Sequence, residues 1–568
     1  MTVPGVLTIL LFFAVILLIT KPFGGYLYRV YTGAPTFLDR LVRPAEAAVY
    51  RVTGVDPEQE MSWSTFLLAL LVFNLAGLLL LYAVLRLQGF LPLNPRHYPG
   101  LSPDLAWNTA VSFATNTNWQ AYSGEASLSY LSQLALVVQQ FLSPLSGIAM
   151  LLAFLRGLTR RNASTLGNFW VDITRTLLWV ALPIAGVAAL VLVALGSPEN
   201  FLPYVHVTTL AGNHQTIAQG PVAAMTSIMQ LGDNGGGFFN ANAAHPYAAP
   251  NAASLLFQLV LGFSVPAALT YTFGKWVGDT RQGWAVFAAM AILFLAGTFA
   301  AYHFELAGTP GLHQLGINDR LGNLEGKEVR FGPALSTLFD TSTTAVSWGS
   351  VAAANDSFTP LGGLVLLFNL LTGEVIFGSW GVGLLGMLMY AILAVFIAGL
   401  MVGRTPEYLG KKIGAYEVKM AVLTIVVPTF VILGLTALAL STRAGLAGLG
   451  NPGAHGLSEA LYAYASGVGN NGSAFGGLNA ATPFYTWTVG LAMLIGRYPM
   501  YIPALAMAAS LARKQAVPAS AGTFPTHGWL FVVLLLGMVV VVSALDVFPV
   551  LSLGPLAEQF ARTAGGAP

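Results

Sequence analysis

Ten stretches of the chain are long and apolar enough to cross a bilayer, which takes about 20 residues of helix: roughly 4–27, 65–87, 129–157, 170–196, 252–275, 284–304, 361–403, 418–441, 483–512 and 528–549. Between them lie four apolar segments too short to cross, 103–114, 220–231, 333–345 and 457–467. Each opens on a helix start signal, Ser102-Pro103-Asp104, Gly220-Pro221, Gly332-Pro333 and Ser458-Glu459. This pattern predicts four half-helices that enter the membrane and stop.

Each half-helix runs into a short polar loop, and the four loops resemble one another: Thr115, Asn116, Thr117 and Asn118; Gly232, Asp233, Asn234 and Gly235; Val346, Ser347, Trp348 and Gly349; Gly469, Asn470, Asn471 and Gly472. From Thr117 to Gly232 to Ser347 to Asn470 the steps are 115, 115 and 123 residues. A recurrence of that kind predicts four copies of one unit, helix, pore helix, loop and helix, around a shared axis. Any one such Gly and Asn cluster reads as a surface turn. Four in register, each after a short apolar helix, place non-helical backbone at membrane depth, which only a cavity justifies.

The expected fold is therefore an all-α membrane protein of ten transmembrane helices. Its parts are an extra first helix with a loop (1–64), pore repeats at 65–157, 170–275, 284–403 and 418–512, and a last helix with a tail (513–568). The first apolar run lacks a basic start and an Ala-x-Ala cleavage site, so it reads as a retained helix.

Composition agrees: 55% hydrophobic and 8% charged residues leave too little polar surface for a soluble globule of 568 residues. A net charge of +2 gives no basic field for nucleic acid, and zero cysteines exclude disulfides and thiol chemistry. Even numbers of spans put both termini on one side. With that side outside, 17 of the 25 cations fall in inner loops, among them Arg156, Arg160, Arg175, Arg404, Lys411, Lys412 and Lys419, as the positive-inside rule requires. All four loops then face outward, and each half-helix aims its carbonyl end at the membrane centre, where it favours a cation.

The loops offer mainly backbone carbonyls, neutral amides and hydroxyls, a set suited to K⁺, whereas divalent ions usually draw several carboxylates. The glycines permit backbone turns that aim carbonyls at one axis. Asn116, Asn118, Asn234, Asn470 and Asn471 read as braces between loops. Six histidines expected in outer loops, 206, 214, 245, 303, 313 and 455, lack His-x-x-x-His spacing, so no metal site is expected. No Gly-x-x-x-x-Gly-Lys-Ser/Thr cradle or Asp-Lys-Thr-Gly motif occurs, so ATP is not expected to bind this chain.

Long motifs then narrow the reading. AsnThrAlaValSerPheAlaThrAsnThrAsnTrpGln at 108–120, AsnGlyGlyGlyPhePheAsnAlaAsn at 234–242, AsnAspSerPheThrProLeuGlyGly at 355–363, GlyArgThrProGluTyrLeuGlyLysLysIle at 403–413, AsnAsnGlySerAlaPhe at 470–475 and ProThrHisGly at 525–528 make the chain resemble, over essentially its whole length, the potassium-binding subunit of the bacterial Kdp potassium-transporting ATPase. The resemblance implies a non-catalytic inner-membrane subunit that takes K⁺ at a four-loop filter. It further implies delivery through an intramembrane tunnel to a P-type ATPase subunit, with a single-span subunit bearing a periplasmic domain and often a one-span peptide completing the complex. A self-sufficient Trk- or Ktr-like channel or symporter shares the four-unit plan and is the alternative.

Two loop positions depart from the resemblance, Asp233 where Thr is usual and Trp348 where a small residue is usual. Asp233 reads either as a negative charge added beside the ion or, in the commoner role of Asp in a turn, as a side chain that turns away and accepts amide protons of its own loop. Trp348 is expected to pack behind the loop. Gly373, Glu374, Gly378, Gly381 and Gly383 interrupt the seventh stretch, which is about twice the length of one crossing. They read equally as a loop that blocks the inward route, by resemblance, or as a kink in a long helix. Arg497 is an intramembrane cation expected to guard an ion path or to brace Glu374. The basic run from Arg404 to Lys419 reads as a topology signal, and by resemblance as a contact for the ATPase partner.

Overall fold

Proline and hydroxyl side chains start the membrane helices where the apolar runs begin. Ser129 and Thr482 accept N–H bonds as N-caps, and Pro103, Pro360 and Pro483 occupy first-turn positions whose missing N–H costs nothing. The computed structural model describes residues 1–308, 316, 320–401, 403, 405–516 and 524–563. His313, Arg404 and the tail beyond 563 lie outside these residues.

Among the described residues, ten helices are long and apolar enough to span: Val3–Thr32, Trp63–Phe90, Tyr130–Thr159, Phe169–Ala194, Ala252–Trp276, Thr280–Ala307, Val382–Met401, Ala415–Ser441, Pro483–Arg513 and Trp529–Thr563. The chain is a multi-pass membrane protein. The seventh predicted stretch divides into Pro360–Leu371 and Val382–Met401, and residues 372–381 between them are not helical. A simple kink therefore does not describe it.

Burial separates core from rim. The third span is 83% buried and the fifth 72%, against 17% for the eighth and 22% for the second, so the third and fifth line the centre while the eighth faces outward. The first span packs on the fifth, where Thr272 donates to the Gly24 carbonyl at 3.0 Å and Phe12 meets Phe263 edge to face. Four short helices lie within this frame, Pro103–Ala114, Val222–Leu231, Gly332–Val346 and Gly453–Gly469.

Outside the spans, an antiparallel hairpin pairs Val205–Thr208 with His214–Ile217 in the register Val205 to Ile217. A smaller one pairs Glu407–Tyr408 with Lys411–Lys412. Lys411 there is 1% exposed. Its ammonium donates to the carbonyls of Leu511 at 3.1 Å, Lys514 at 2.7 Å and Arg160. The side chain closes the ends of two spans, so it is not free to contact a partner.

Candidate functional site

Each short helix ends the same way. Asn116, Asp233, Ser347 and Asn470 all have left-handed backbone, with φ of 67°, 51°, 61° and 58°. The next residue, Thr117, Asn234, Trp348 or Asn471, donates its N–H to the carbonyl five positions back, at 2.9, 2.9, 3.0 and 2.8 Å. This is a Schellman closure repeated four times, with Asn, Asp and Ser at the position where glycine is usual. The structural register of the loops is therefore Asn116, Asp233, Ser347 and Asn470, one residue away from the Thr117 and Gly232 pairing that sequence spacing suggested. Gly232 itself has φ −84°, and Gly469 is the last residue of its helix. Neither uses the freedom of glycine to turn the chain.

The four loops meet. A methyl carbon built on Gly235 would stand 3.0 Å from the Thr117 carbonyl oxygen, 3.1 Å from that of Asn471 and 3.1 Å from the Cα of Gly349. One on Gly472 would lie 3.3 Å from the Cα of Gly235 and would overlap the Thr117 carbonyl. Residues far apart in sequence thus crowd one another with backbone alone.

Side chains close the ring. Asn116 donates to the Asp233 carbonyl at 3.0 Å and to the Gly232 carbonyl at 3.3 Å. Gln230 donates to Ser350 at 3.3 Å. The Ser347 hydroxyl donates to the Gly469 carbonyl at 3.0 Å, and Asn470 donates to the Thr117 hydroxyl at 3.0 Å. These links join the first loop to the second, the third to the fourth and the fourth to the first, while between the second and third the bond runs from the helix before one loop to the residue after the other. Asn471 adds a bond to the Thr343 carbonyl at 2.7 Å, and Asn234 reaches Asn116 Oδ1 at 2.5 Å. Asn118 differs from the other four asparagines, since neither side-chain atom has a hydrogen-bond partner. Thr115 keeps its hydroxyl on its own helix, at 2.9 Å from the Val111 carbonyl, and shares a 2.7 Å contact with the Thr117 hydroxyl.

The two unusual residues face different surroundings. Trp348 is fully buried behind its loop, 4.9 Å from the Phe339 ring and against Gly262 of the fifth span. Asp233 does not accept amide protons from its loop: both carboxylate oxygens are buried without a hydrogen-bond partner. What its backbone needs is the left-handed turn, which Asp tolerates better than most side chains.

Beneath the loops, the break at 372–381 is tied to the ends of the short helices. Ser379 N–H donates to the Val346 carbonyl at 2.5 Å, and Trp380 Nε1 donates to the Leu231 carbonyl at 2.6 Å. Gly373 and Gly381 take left-handed φ of 78° and 88°. Gly378 and Gly383 pack Cα against Cα so closely that neither could carry a side chain. Glu374, also left-handed at φ 54°, lies against Gly469, where a methyl would be 3.0 Å from its carboxyl carbon.

The expected brace between Arg497 and Glu374 does not form. Both Glu374 oxygens lack a hydrogen-bond partner, while Arg497 reaches the Ser143 carbonyl of the third span at 3.4 Å and stands over the Tyr501 ring at 5.5 Å. A cavity of about 130 Å³ opens below, lined by Gly373, Gly469, Asn470 and Arg497 and continuing to Thr429 and Asp546.

Several supporting residues carry weak signals in the sequence. Gln140 donates to the Gly236 carbonyl and Ser143 to Asn116 Oδ1 at 2.7 Å. Both are polar positions within the third span, but Gln133, Gln139 and Ser146 are buried there too, so polarity alone does not single them out. On the face from which the short helices start, Asp356, His455 and Glu459 offer ligand atoms within 4.8 Å of one another, a grouping that histidine spacing did not suggest. Both ring nitrogens of His455 are already taken, Nε2 by Asp356 at 3.0 Å and Nδ1 by Glu558 at 3.0 Å. Burial works against its charge, and the two carboxylates overcome that, pushing its pKa up to about 10.

Comparison with known proteins bears on the family and the fold. Residues 10–560 match the family model described as potassium-transporting ATPase A subunit. A relative from Methylorubrum extorquens is 54% identical over all of this chain and 99% of its own, and one from Solibacter usitatus is 54% identical over 99% and 98%. Both bear the name potassium-transporting ATPase potassium-binding subunit. Among solved structures, the potassium transporter TrkH from Vibrio parahaemolyticus shares the fold at a TM-score of 0.52, with 15% identity over 78% of this chain and 84% of that one.

Proposed function

Since the chain belongs to the family of potassium-transporting ATPase A subunits, we propose that it selects K⁺ at the ring of four loops and hands it through the cavity below to a partner P-type ATPase for ATP-driven, high-affinity uptake. In this role it is the non-catalytic, potassium-binding subunit of the pump. It sits in the bacterial inner membrane with both termini outside, beside the catalytic subunit, a single-span subunit with a periplasmic domain and often a one-span peptide.

The observation that carries the reading is the ring: four Schellman-terminated helices end at one place, side chains link the first loop to the second, the third to the fourth and the fourth to the first, and the backbones of Gly235 and Gly349 meet between the second and third. Backbone oxygens held at a fixed separation replace the water of a large monovalent ion. The helix ends add negative potential below. Ser379 and Trp380 hold the break of the seventh span under the ring, where it blocks straight passage and turns ions sideways into the cavity. Arg497 stands at the cavity's upper end and repels a cation that would linger there.

Titration of the purified complex with ⁸⁶Rb⁺ and K⁺ tests the reading. Saturable binding that Na⁺ fails to displace is expected, with ATP hydrolysis only when the partner is present. Uptake by this chain alone, driven by an ion gradient, would favour the Trk-like alternative instead.

A further inference from the structure

The four short helices share one more position. Ser112, Met229, Thr343 and Ser466 are the residues whose carbonyls accept the Schellman bond from Thr117, Asn234, Trp348 and Asn471, so they stand at the same place in the four units. In three of them a hydroxyl on that residue ties down the outgoing limb of its own loop. Ser112 Oγ donates to the Trp119 carbonyl at 3.0 Å and Thr343 Oγ1 to the Ser350 carbonyl, each seven residues on, while Ser466 Oγ accepts the Gly472 N–H at 2.9 Å.

The second unit cannot make this tie, because Met229 has no hydroxyl. Seven residues beyond Met229 stands Gly236, and its carbonyl accepts instead from Nε2 of Gln140, a fully buried side chain of the third span. The Met229 thioether lies along the limb, 3.1 Å from a methyl carbon built on Gly237, and has no proton to donate to it. The tie bears on the ring because Gly235, next to Gly236, is where the second loop meets the backbones of Thr117, Gly349 and Asn471. Slack at Gly236 moves that meeting point, and discrimination between K⁺ and Na⁺ depends on the number and spacing of the oxygens presented.

Resting on the pore reading, we infer that Gln140 is a positioning residue for ion selection: from the third span it supplies the tie that a hydroxyl on the loop's own helix supplies in the other three units. It acts through the Gly236 carbonyl and does not touch the ion. The third span thereby holds both of the first two loops, since Ser143, one turn along the same face, holds Asn116 at 2.7 Å.

Competition of Na⁺ against ⁸⁶Rb⁺ on the purified complex tests this in wild type, Gln140→Leu, Gln140→Leu combined with Met229→Ser, and Gln133→Leu. Gln140→Leu keeps the bulk and removes the donor, so preference for Rb⁺ over Na⁺ should fall about tenfold, the effect of leaving one buried carbonyl unpaired. Adding Met229→Ser gives the second helix the hydroxyl that its counterparts carry. It should bring the preference back even though loss of the buried thioether lowers the melting temperature. Gln133→Leu is the control for losing an amide from the same span: Gln133 is buried and neither of its side-chain polar atoms has a hydrogen-bond partner, so the preference should stay. An unchanged preference in Gln140→Leu, one that Met229→Ser fails to raise, or an equal fall in Gln133→Leu overturns the inference and leaves the pore reading standing. Wild type that shows no preference for Rb⁺ over Na⁺ overturns both.

Discussion

Gly349 and Asn471 touch through backbone alone: a methyl group on Gly349 would overlap the Asn471 carbonyl oxygen. Gly349 is also left-handed, with φ 86°, so a side chain there meets both a clash and an unfavourable conformation.

Gly349→Ala is expected to insert and fold but to lose at least about tenfold in K⁺ affinity, about 1.4 kcal/mol or more of binding energy, because the third and fourth loops must separate. Gly54→Ala is the control. Gly54 has φ 69° with nothing within 4 Å of the added methyl, so it should cost about 1–2 kcal/mol of stability and leave ⁸⁶Rb⁺ titration unchanged.

Asn116 is the busiest link of the ring, donating to two carbonyls of the second loop and accepting from Ser143 and Asn234. Asn116→Ala strands these buried groups, at about 1–3 kcal/mol for each one left unpaired. The expected outcome is weaker discrimination of K⁺ over Na⁺ in competition binding, with Asn116→Asp failing to restore it because a carboxylate cannot donate to the Gly232 and Asp233 carbonyls.

Trp380→Phe keeps a buried aromatic ring while removing the donor to Leu231 and the rest of the indole's bulk. If the break of the seventh span blocks straight passage, vesicles holding the variant should leak K⁺ faster than wild type in the absence of ATP. An unchanged leak rate would count against a gate at this position.

Glu305 and Lys327 form an ion pair of 2.7 Å with neither side chain exposed, and Glu305 also accepts from Asn323 and Thr359. Lys327→Met leaves a buried carboxylate without its counter-charge, at about 3–5 kcal/mol, and should lower the melting temperature in detergent. Adding Glu305→Gln to that variant should recover part of the loss.

His455 joins Asp356, after the third loop, to Glu558 on the last helix. Its pKa is raised in the folded protein to about 10 from an ordinary 6.5, so its stabilising contribution is complete below pH 6.5 and is lost as pH rises through 10. Wild type should lose more thermal stability than His455→Gln between pH 6.5 and 10, and the two curves should converge at the alkaline end. Parallel curves would remove the clamp from the account.

Membrane crossings and helix ends are written locally. A run of apolar residues of sufficient length must lie in the bilayer wherever it packs, so the ten spans were legible, as was the interruption at 372–381 by its glycines. Gly332-Pro333 opens its short helix as read, whereas Ser458-Glu459 lies five residues inside Gly453–Gly469, with Ser458 bonding the Ala454 carbonyl one turn back, and does not start it. Bulk alone also suffices to place Trp348 behind its loop, since a ring of that size needs a pocket.

The register of the loops was not legible, because Asn, Asp and Ser occupy the left-handed positions and glycine, the usual marker, stands beside them. Partner choice lay further out of reach. Whether Asn116 meets Asp233, whether Arg497 turns to Ser143 or to Glu374, and whether Asp546 faces a cavity or a neighbour depends on how segments distant in sequence are packed together. Spacing along a chain carries the length and polarity of each segment. The distances between segments come into being only when their helices pack, and the ring that would hold an ion is made of those distances.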